Sequence, residues 1–157
     1  MKITLASIGK TKSSYLVEGI SEYQKRLKHY CSFHYVEYAD VKNRAKLKPD
    51  QIKKAEEDLI MAQLQPSDYL VLLDEGGKQY SSVEWSKWFS KRQLSNTKHL
   101  YLLIGGAYGF SDKLYQRASE KISMSKMTFS HQMIRLLVAE QIYRAHTILK
   151  GEPYHHQ

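Results

Sequence analysis

The sequence predicts an α/β fold, a mostly parallel sheet flanked by helices. Short apolar runs alternate with helical periods five times along the chain, which argues for helices crossing between parallel strands. Two of the runs, within YLVLLDEGG from Tyr69 and HLYLLIGGAYG from His99, are continuously apolar, as strands covered on both faces are.

Each element has a local reason. KITLASIG, from Lys2, reads as the first strand. In SSYLVEGISEYQKRLKHY the residues Leu16, Ile20, Tyr23 and Leu27 recur at helical spacing, and the serines in front are suited to cap that helix. SFHYVEYA alternates like a half-exposed strand, and the basic segment DVKNRAKLKPD that follows is a loop. Pro49 marks the next helix start, with Ile52, Ala55, Leu59 and Ile60 on one face. YLVLLDEGG is a buried strand that the acids and paired glycines should end, and a helix carrying Trp85, Trp88 and Phe89 follows it. After HLYLLIGGAYG, Ser111 is placed to cap a short helix through Glu120, and ISMSKMTF is a last extended segment before the long closing helix.

The closing helix carries an apolar stripe of Ile134, Leu137, Val138, Ala145 and Ile148, with Met133, Leu136 and Tyr143 off it. A helix on a small sheet needs one apolar face, so the surplus points to a homodimer. Burial between two elements of its own chain is the other reading. The chain shows no repeat, low-complexity tract or linker, and 157 residues suit a single domain spanning 1–157.

With 42% hydrophobic and 25% charged residues, the composition is that of a folded globular chain. The one cysteine, Cys31, cannot form an internal disulfide, and neither a signal-peptide pattern nor an apolar stretch of membrane-spanning length is present. A cytoplasmic protein with no membrane partner is expected. The formal net charge is +8, and the excess lies at the two ends: residues 1–50 hold ten Lys and Arg against five acids, and residues 101–157 hold seven against four. A polyanionic partner such as nucleic acid follows naturally, although a solvated basic surface gives the same count.

Ligands of open parallel sheets collect at the carboxyl ends of the strands. Those ends are LLDEGGK, LIGGAYG and SMSKMTF, two of them glycine-rich, with Leu73, Ile104, Met124, Met127 and Phe129 able to form an apolar slot for a flat ring. The common nucleotide signatures fail. IGGAYG does not space its glycines as G-x-G-x-x-G, and ASIGKTKSS has Thr4 where a P-loop needs its first glycine. No histidine or cysteine spacing suits zinc, since adjacent His155 and His156 point apart, and no G-x-S-x-G elbow occurs, so no metal is expected. His131 and Arg135 are one helical turn apart beside the third strand end, and Arg144 stands four residues after Glu140, with which it can pair. The chain ends in GEPYHHQ, which gathers a tyrosine and two histidines where a tail is normally left loose.

Together LIGGAYGFS, SMSKMTFSHQMIRLLVAEQIYRAHTILKGEPYHH and the opening MKITLASIGK resemble the small bacterial SPOUT-superfamily methyltransferases that act at N3 of a pseudouridine in large-subunit ribosomal RNA. The resemblance runs the length of the chain and is densest from Leu100 to His155. It implies an α/β knot with a C-terminal trefoil, an exception to the rule that chains do not thread their own loops. It also implies a homodimer and S-adenosylmethionine as cofactor, held at Leu73, Gly105, Met124, Ser125, Lys126, Met127, Thr128 and Phe129. The assembled ribosome is the implied substrate, with the basic segment Lys42–Lys48 and the first helix candidates for phosphate contacts.

N3 of a uracil ring becomes nucleophilic only when its proton leaves, so such an enzyme needs a proton acceptor and groups that steady the imidate oxygens. His155 and Tyr154 suit those tasks with Arg144 beside them, while His131 and Arg135 are substrate-binding candidates. The tail from Gly151 is then a flap over the cofactor of the other subunit. Two rivals remain: a knotted methyltransferase for another nucleotide position such as a ribose 2′-hydroxyl, and a non-catalytic RNA binder.

Overall fold

The computed structural model describes residues 1–156. Five strands form one parallel sheet in the order β2-β1-β4-β3-β5, where β1 is Lys2–Ile8, β2 Ser32–Tyr38, β3 Tyr69–Gln79, β4 His99–Ile104 and β5 Glu120–Ser123. Helices α1 (Ser14–Leu27), α2 (Pro49–Met61), α3 (Ser82–Leu94), α4 (Asp112–Arg117) and α5 (Met133–Leu149) provide the crossovers and the closing layer. Central strands β1 and β4 are buried almost throughout, which their continuous apolar runs require.

Two cores lie on opposite faces of the sheet. On one, Ile3, Leu5, Val71, Leu100, Leu102 and Ile122 meet Leu27, Trp85, Phe89, Val138 and Ile142 of the flanking helices. On the other, Ala6, Ile8, Leu70, Leu72, Tyr101 and Leu103 meet Ile60 of α2 and Leu114 of α4. Alternate side chains along each strand feed alternate cores.

Several elements depart from the sequence expectation, each for a local reason. Ser13 stands before α1 with extended backbone, but its carbonyl rather than its hydroxyl takes the first amides, of Leu16 and Val17. Ser81 does cap α3, in a reciprocal pair with Glu84. The acids and glycines do not end β3. Ile122 pairs with both Leu73 and Lys78, so Asp74–Gly77 bulge out of a strand that resumes for two more residues. Gly77 makes this possible, since a Cβ there would stand 2.5 Å from the Ile122 backbone.

Helix α4 stops at Arg117, so Glu120 opens β5 instead of closing a helix. The expected extended segment from Ile122 to Phe129 is extended only through Ser123, because the β3 ladder ends there at Gln79. Beyond it the Ser125 hydroxyl accepts from the Met127 amide, and the chain runs irregularly to α5.

Helix α5 lies between α1 and α3. Its buried stripe is Arg135, Val138, Ala139, Ile142, Ala145 and His146, and of the stripe expected from sequence only Val138 and Ala145 are buried. Two of the three off-stripe residues, Leu136 and Tyr143, pack within the chain itself. Leu136 occupies the space over Gly19 of α1, and the Tyr143 ring packs 5.8 Å from that of Tyr23 and 5.6 Å from that of Tyr30. Met133, Leu137 and Ile148, opposite the buried stripe, stay half-buried.

Candidate active site

The carboxyl ends of β3, β4 and β5 enclose a cavity of about 630 Å³, a volume typical of small-molecule sites. Leu73, Ile104 and Ser123 come from β3, β4 and β5 themselves, Asp74 and Glu75 from the β3 bulge, Gly105 to Ala107, Gly109 and Phe110 from the turn after β4, and Met124 to Ser130 without Lys126 from the loop after β5. His131 and Ile134 close the side toward α5. The turn after β4 is held by a bridge between Gly106 and Gly109, with Gly109 at φ +73°. A Cβ on Gly105 would meet the Phe110 ring at 2.9 Å, so only glycine leaves the backbone free to approach a ligand.

The donor set fits S-adenosylmethionine. Apolar Leu73, Ile104, Phe110 and Met124 can flank an adenine ring, exposed backbone groups of the glycine turn can pair with its edge, and Asp74 and Glu75 bring negative charge for a sulfonium and an ammonium. Asp74 is fixed by two donors, the Tyr115 hydroxyl at 2.6 Å and the Gly76 amide at 2.8 Å. Burial and this carboxylate push the Tyr115 hydroxyl up to about 12, so it stays a donor at neutral pH.

Seven of the eight predicted cofactor positions line the cavity: Leu73, Gly105, Met124, Ser125, Met127, Thr128 and Phe129. Lys126 is exposed and does not. Sequence reasoning missed Asp74, Glu75 and Phe110. The acids read as strand terminators, and nothing in sequence shows that a bulge turns them inward. It also missed Glu56 of α2, a 4% exposed carboxylate packed against Gly106, where a Cβ would approach its Oε1 to 2.7 Å. Burial raises the pKa of Glu56, opposed by the Arg44 guanidinium 3.5 Å away.

His131 lies in the turn before α5 and is one of the residues that line the cavity. Partial burial and the charges of Arg135 and Arg44 hold its pKa below the ordinary 6.5, so the ring is neutral at pH 7. Arg135 corrects the expectation of an RNA-gripping residue. It is 1% exposed, and its guanidinium donates to the carbonyls of Ile8 (2.9 Å), Gly9 (2.9 Å) and His131 (2.8 Å) and to Thr11 Oγ1 (3.1 Å). It ties the end of β1 to the turn carrying His131 and has no face for a phosphate.

Tyr154, His155 and Arg144 come together, but not at this cavity. Gly151, at φ +67°, turns the chain back along the outer side of α5. Tyr154 donates to Glu140 Oε1 (3.1 Å), its hydroxyl lies 3.3 Å from that of Tyr23, and Glu152 accepts from the Tyr30 hydroxyl. Arg144 does pair with Glu140, Nη2 to Oε1 at 2.7 Å, and also lies over the Tyr154 ring and donates Nη1–H to His155 Nδ1 at 3.3 Å. An arginine only donates, so Nδ1 of a neutral His155 accepts and Nε2 carries the proton. From Ile134 on the cavity wall to Arg144 is about 15 Å of helix, so the tail cannot cover the cavity of its own chain as it stands.

A parallel α/β sheet with a glycine-turn cavity at its strand ends, in a chain of net charge +8, defines an α/β protein suited to a small-molecule ligand and a polyanionic partner. Residues 1–155 match the family model described as predicted SPOUT methyltransferase, and the chain belongs to this family of methyltransferases. Proteins named ribosomal RNA large subunit methyltransferase H are similar to it over their full length. That of Parabacteroides distasonis is 54% identical over 157 residues, all of both chains. That of Cytophaga hutchinsonii is 54% identical over 156 residues, 99% of this chain and all of the relative, and that of Bacteroides fragilis 52% over all 157. Among the described residues no helix is long and apolar enough to cross a membrane, and no cluster of three or more His, Cys, Asp or Glu could hold a metal ion.

Proposed function

We propose that the protein methylates N3 of a pseudouridine in large-subunit ribosomal RNA, on the assembled ribosome in the cytoplasm, with S-adenosylmethionine as methyl donor. The observation that carries this reading is the strand-end cavity, in a chain more than half identical throughout to enzymes named for large-subunit ribosomal RNA methylation. With it goes the C-terminal trefoil knot that the resemblance implies, its loops those around the cavity.

When bound, S-adenosylmethionine supplies a methyl group already activated by its sulfonium. The chain's own residues then have the proton and the orientation to manage. Leu73, Gly105, Met124, Ser125, Met127, Thr128 and Phe129 hold the cofactor, with Asp74 and Glu75 toward its cationic groups. Neutral His131, on the cavity wall, takes the proton from N3, and Arg135 positions it through the His131 carbonyl. His155 Nε2–H donates to an imidate oxygen, while Arg144 and Tyr154 fix the tail that carries it.

This division of labour needs two chains. The tail stands away from its own cavity, and the half-buried Met133, Leu137 and Ile148 beside it make a face for a second copy. In the homodimer the tail of one protomer, Tyr154 and His155, closes over the cavity of the other, and excluding water there strengthens each of these interactions.

The test is transfer of labelled methyl from S-adenosylmethionine to intact ribosomes lacking the modification, with separated subunits and free RNA alongside. Label recovered as N3-methylpseudouridine from intact ribosomes is the expected result. Label in a ribose 2′-methyl or at another base position would overturn the assignment of the atom, and label in free RNA equal to that in ribosomes would overturn the assignment of the substrate.

A further inference from the structure

One exposed aromatic group stands at the rim of the cavity, Tyr108. It stands between two residues of the cavity wall, Ala107 and Gly109, yet does not line the cavity and is 50% exposed. The turn beneath it is stiff, closed by the Gly106–Gly109 bridge and backed by the buried Glu56 carboxylate against Gly106.

Arg44, from the basic segment after β2, extends over this ring with its guanidinium carbon 5.7 Å from the ring centroid. Two carboxylates hold it there, Asp40 at 2.9 Å and Glu56 at 3.5 Å, and it keeps 30% of its side chain exposed. Glu56 therefore lies against both the glycine turn and the cation above Tyr108, which it shares with Asp40. Lys42, Lys46 and Lys48 flank Arg44 along the same segment.

A rigid, half-open aromatic ring braced by an arginine, beside a run of lysines and at the rim of a cofactor cavity, has the features of a surface on which nucleobases stack while phosphates run past cations. We propose that Tyr108, braced by Arg44, is a stacking platform for a base flanking the target nucleotide, and that Lys42–Lys48 tracks the adjoining phosphates. The proposal rests on the RNA-methyltransferase reading and deepens it, because it assigns a strand-positioning residue that touches neither cofactor nor reacting atoms. Arg44 is itself a positioning residue, acting through the ring.

Three quantities test it, measured on the full chain: the KM for ribosomes in methyl transfer, the Kd for a fluorescein-labelled decaadenylate, and the Kd for S-adenosylmethionine. Tyr108→Ala is expected to raise the first two about tenfold and leave the third unchanged, with Tyr108→Phe restoring the parent values. Arg44→Met should raise the decaadenylate Kd with its salt dependence little changed, because Arg44 acts through the ring and not on a phosphate. Unchanged decaadenylate affinity in Tyr108→Ala overturns the platform, and so does a loss confined to S-adenosylmethionine, which would make the ring part of the cofactor site. If the parent methylates no ribosome, the enzymatic reading fails while the decaadenylate comparison still decides the platform.

Discussion

His131 is the residue on which the proposed chemistry turns, and its surroundings set a pH dependence. Burial, then Arg135 and Arg44, disfavour its protonated form, so its pKa lies below the ordinary 6.5. A base works only while neutral. Activity should therefore hold near pH 7 and fall on the acid side with a midpoint below 6.5, as His131 takes up a proton. His131→Asn should lower kcat by about 100-fold or more and remove this acidic limb, with the cofactor Kd little changed. A limb that persists in His131→Asn would move the base elsewhere, to His155 first. At this scale the sequence was readable where chemistry is tied to backbone: glycines and apolar residues at strand ends mark the cavity because few other residues fit there. It was not readable for Arg135. Its spacing from His131 put both on one helical face, but spacing cannot tell whether a guanidinium faces solvent or the open carbonyls at the end of β1.

At the scale of elements, the bulge in β3 is the feature that converts a strand end into a cavity wall. Four residues leave the ladder between Leu73 and Lys78, and the strand can return to Ile122 only because Gly77 has no Cβ to meet that backbone 2.5 Å away. Gly77→Ala should therefore cost about 1–3 kcal/mol in urea unfolding and weaken S-adenosylmethionine binding in the same variant, because Asp74 and Glu75 ride on the bulge. Gly76→Ala, where a Cβ meets only an Asp74 oxygen at 3.1 Å, should cost less. Equal losses at the two positions would show that the backbone contact at Gly77 is not what matters. Element type was legible along the whole chain because the apolar period changes between strands and helices. Bulge and helix stripe were not. A bulge leaves no periodic trace, and α5 has apolar residues around most of its circumference because α1, α3 and the sheet all pack against it, so periodicity alone could not pick out the face toward the sheet.

At the scale of the whole molecule, the separation of tail and cavity makes a prediction that no single-chain arrangement shares. Tyr154, His155 and Arg144 are assembled on the outer side of α5, and about 15 Å of helix lies between them and the cavity wall at Ile134. If the tail serves a second copy, a chain lacking residues 152–157 and a chain carrying His131→Asn are each inactive as homodimers but complementary when mixed. The mixed dimer has one site with an intact His131 from the truncated chain and an intact tail from the other. Random exchange gives half mixed dimers with one working site of two, so methyl transfer to ribosomes should recover to about a quarter of the parent rate. The truncated chain alone should still bind S-adenosylmethionine, since none of residues 152–156 lines the cavity. No recovery after mixing, with exchange verified by differently tagged chains, would mean that the tail acts on its own chain. It would then have to leave Glu140, Tyr23 and Tyr30 to reach the cavity, a rearrangement that breaks each of the contacts now holding it.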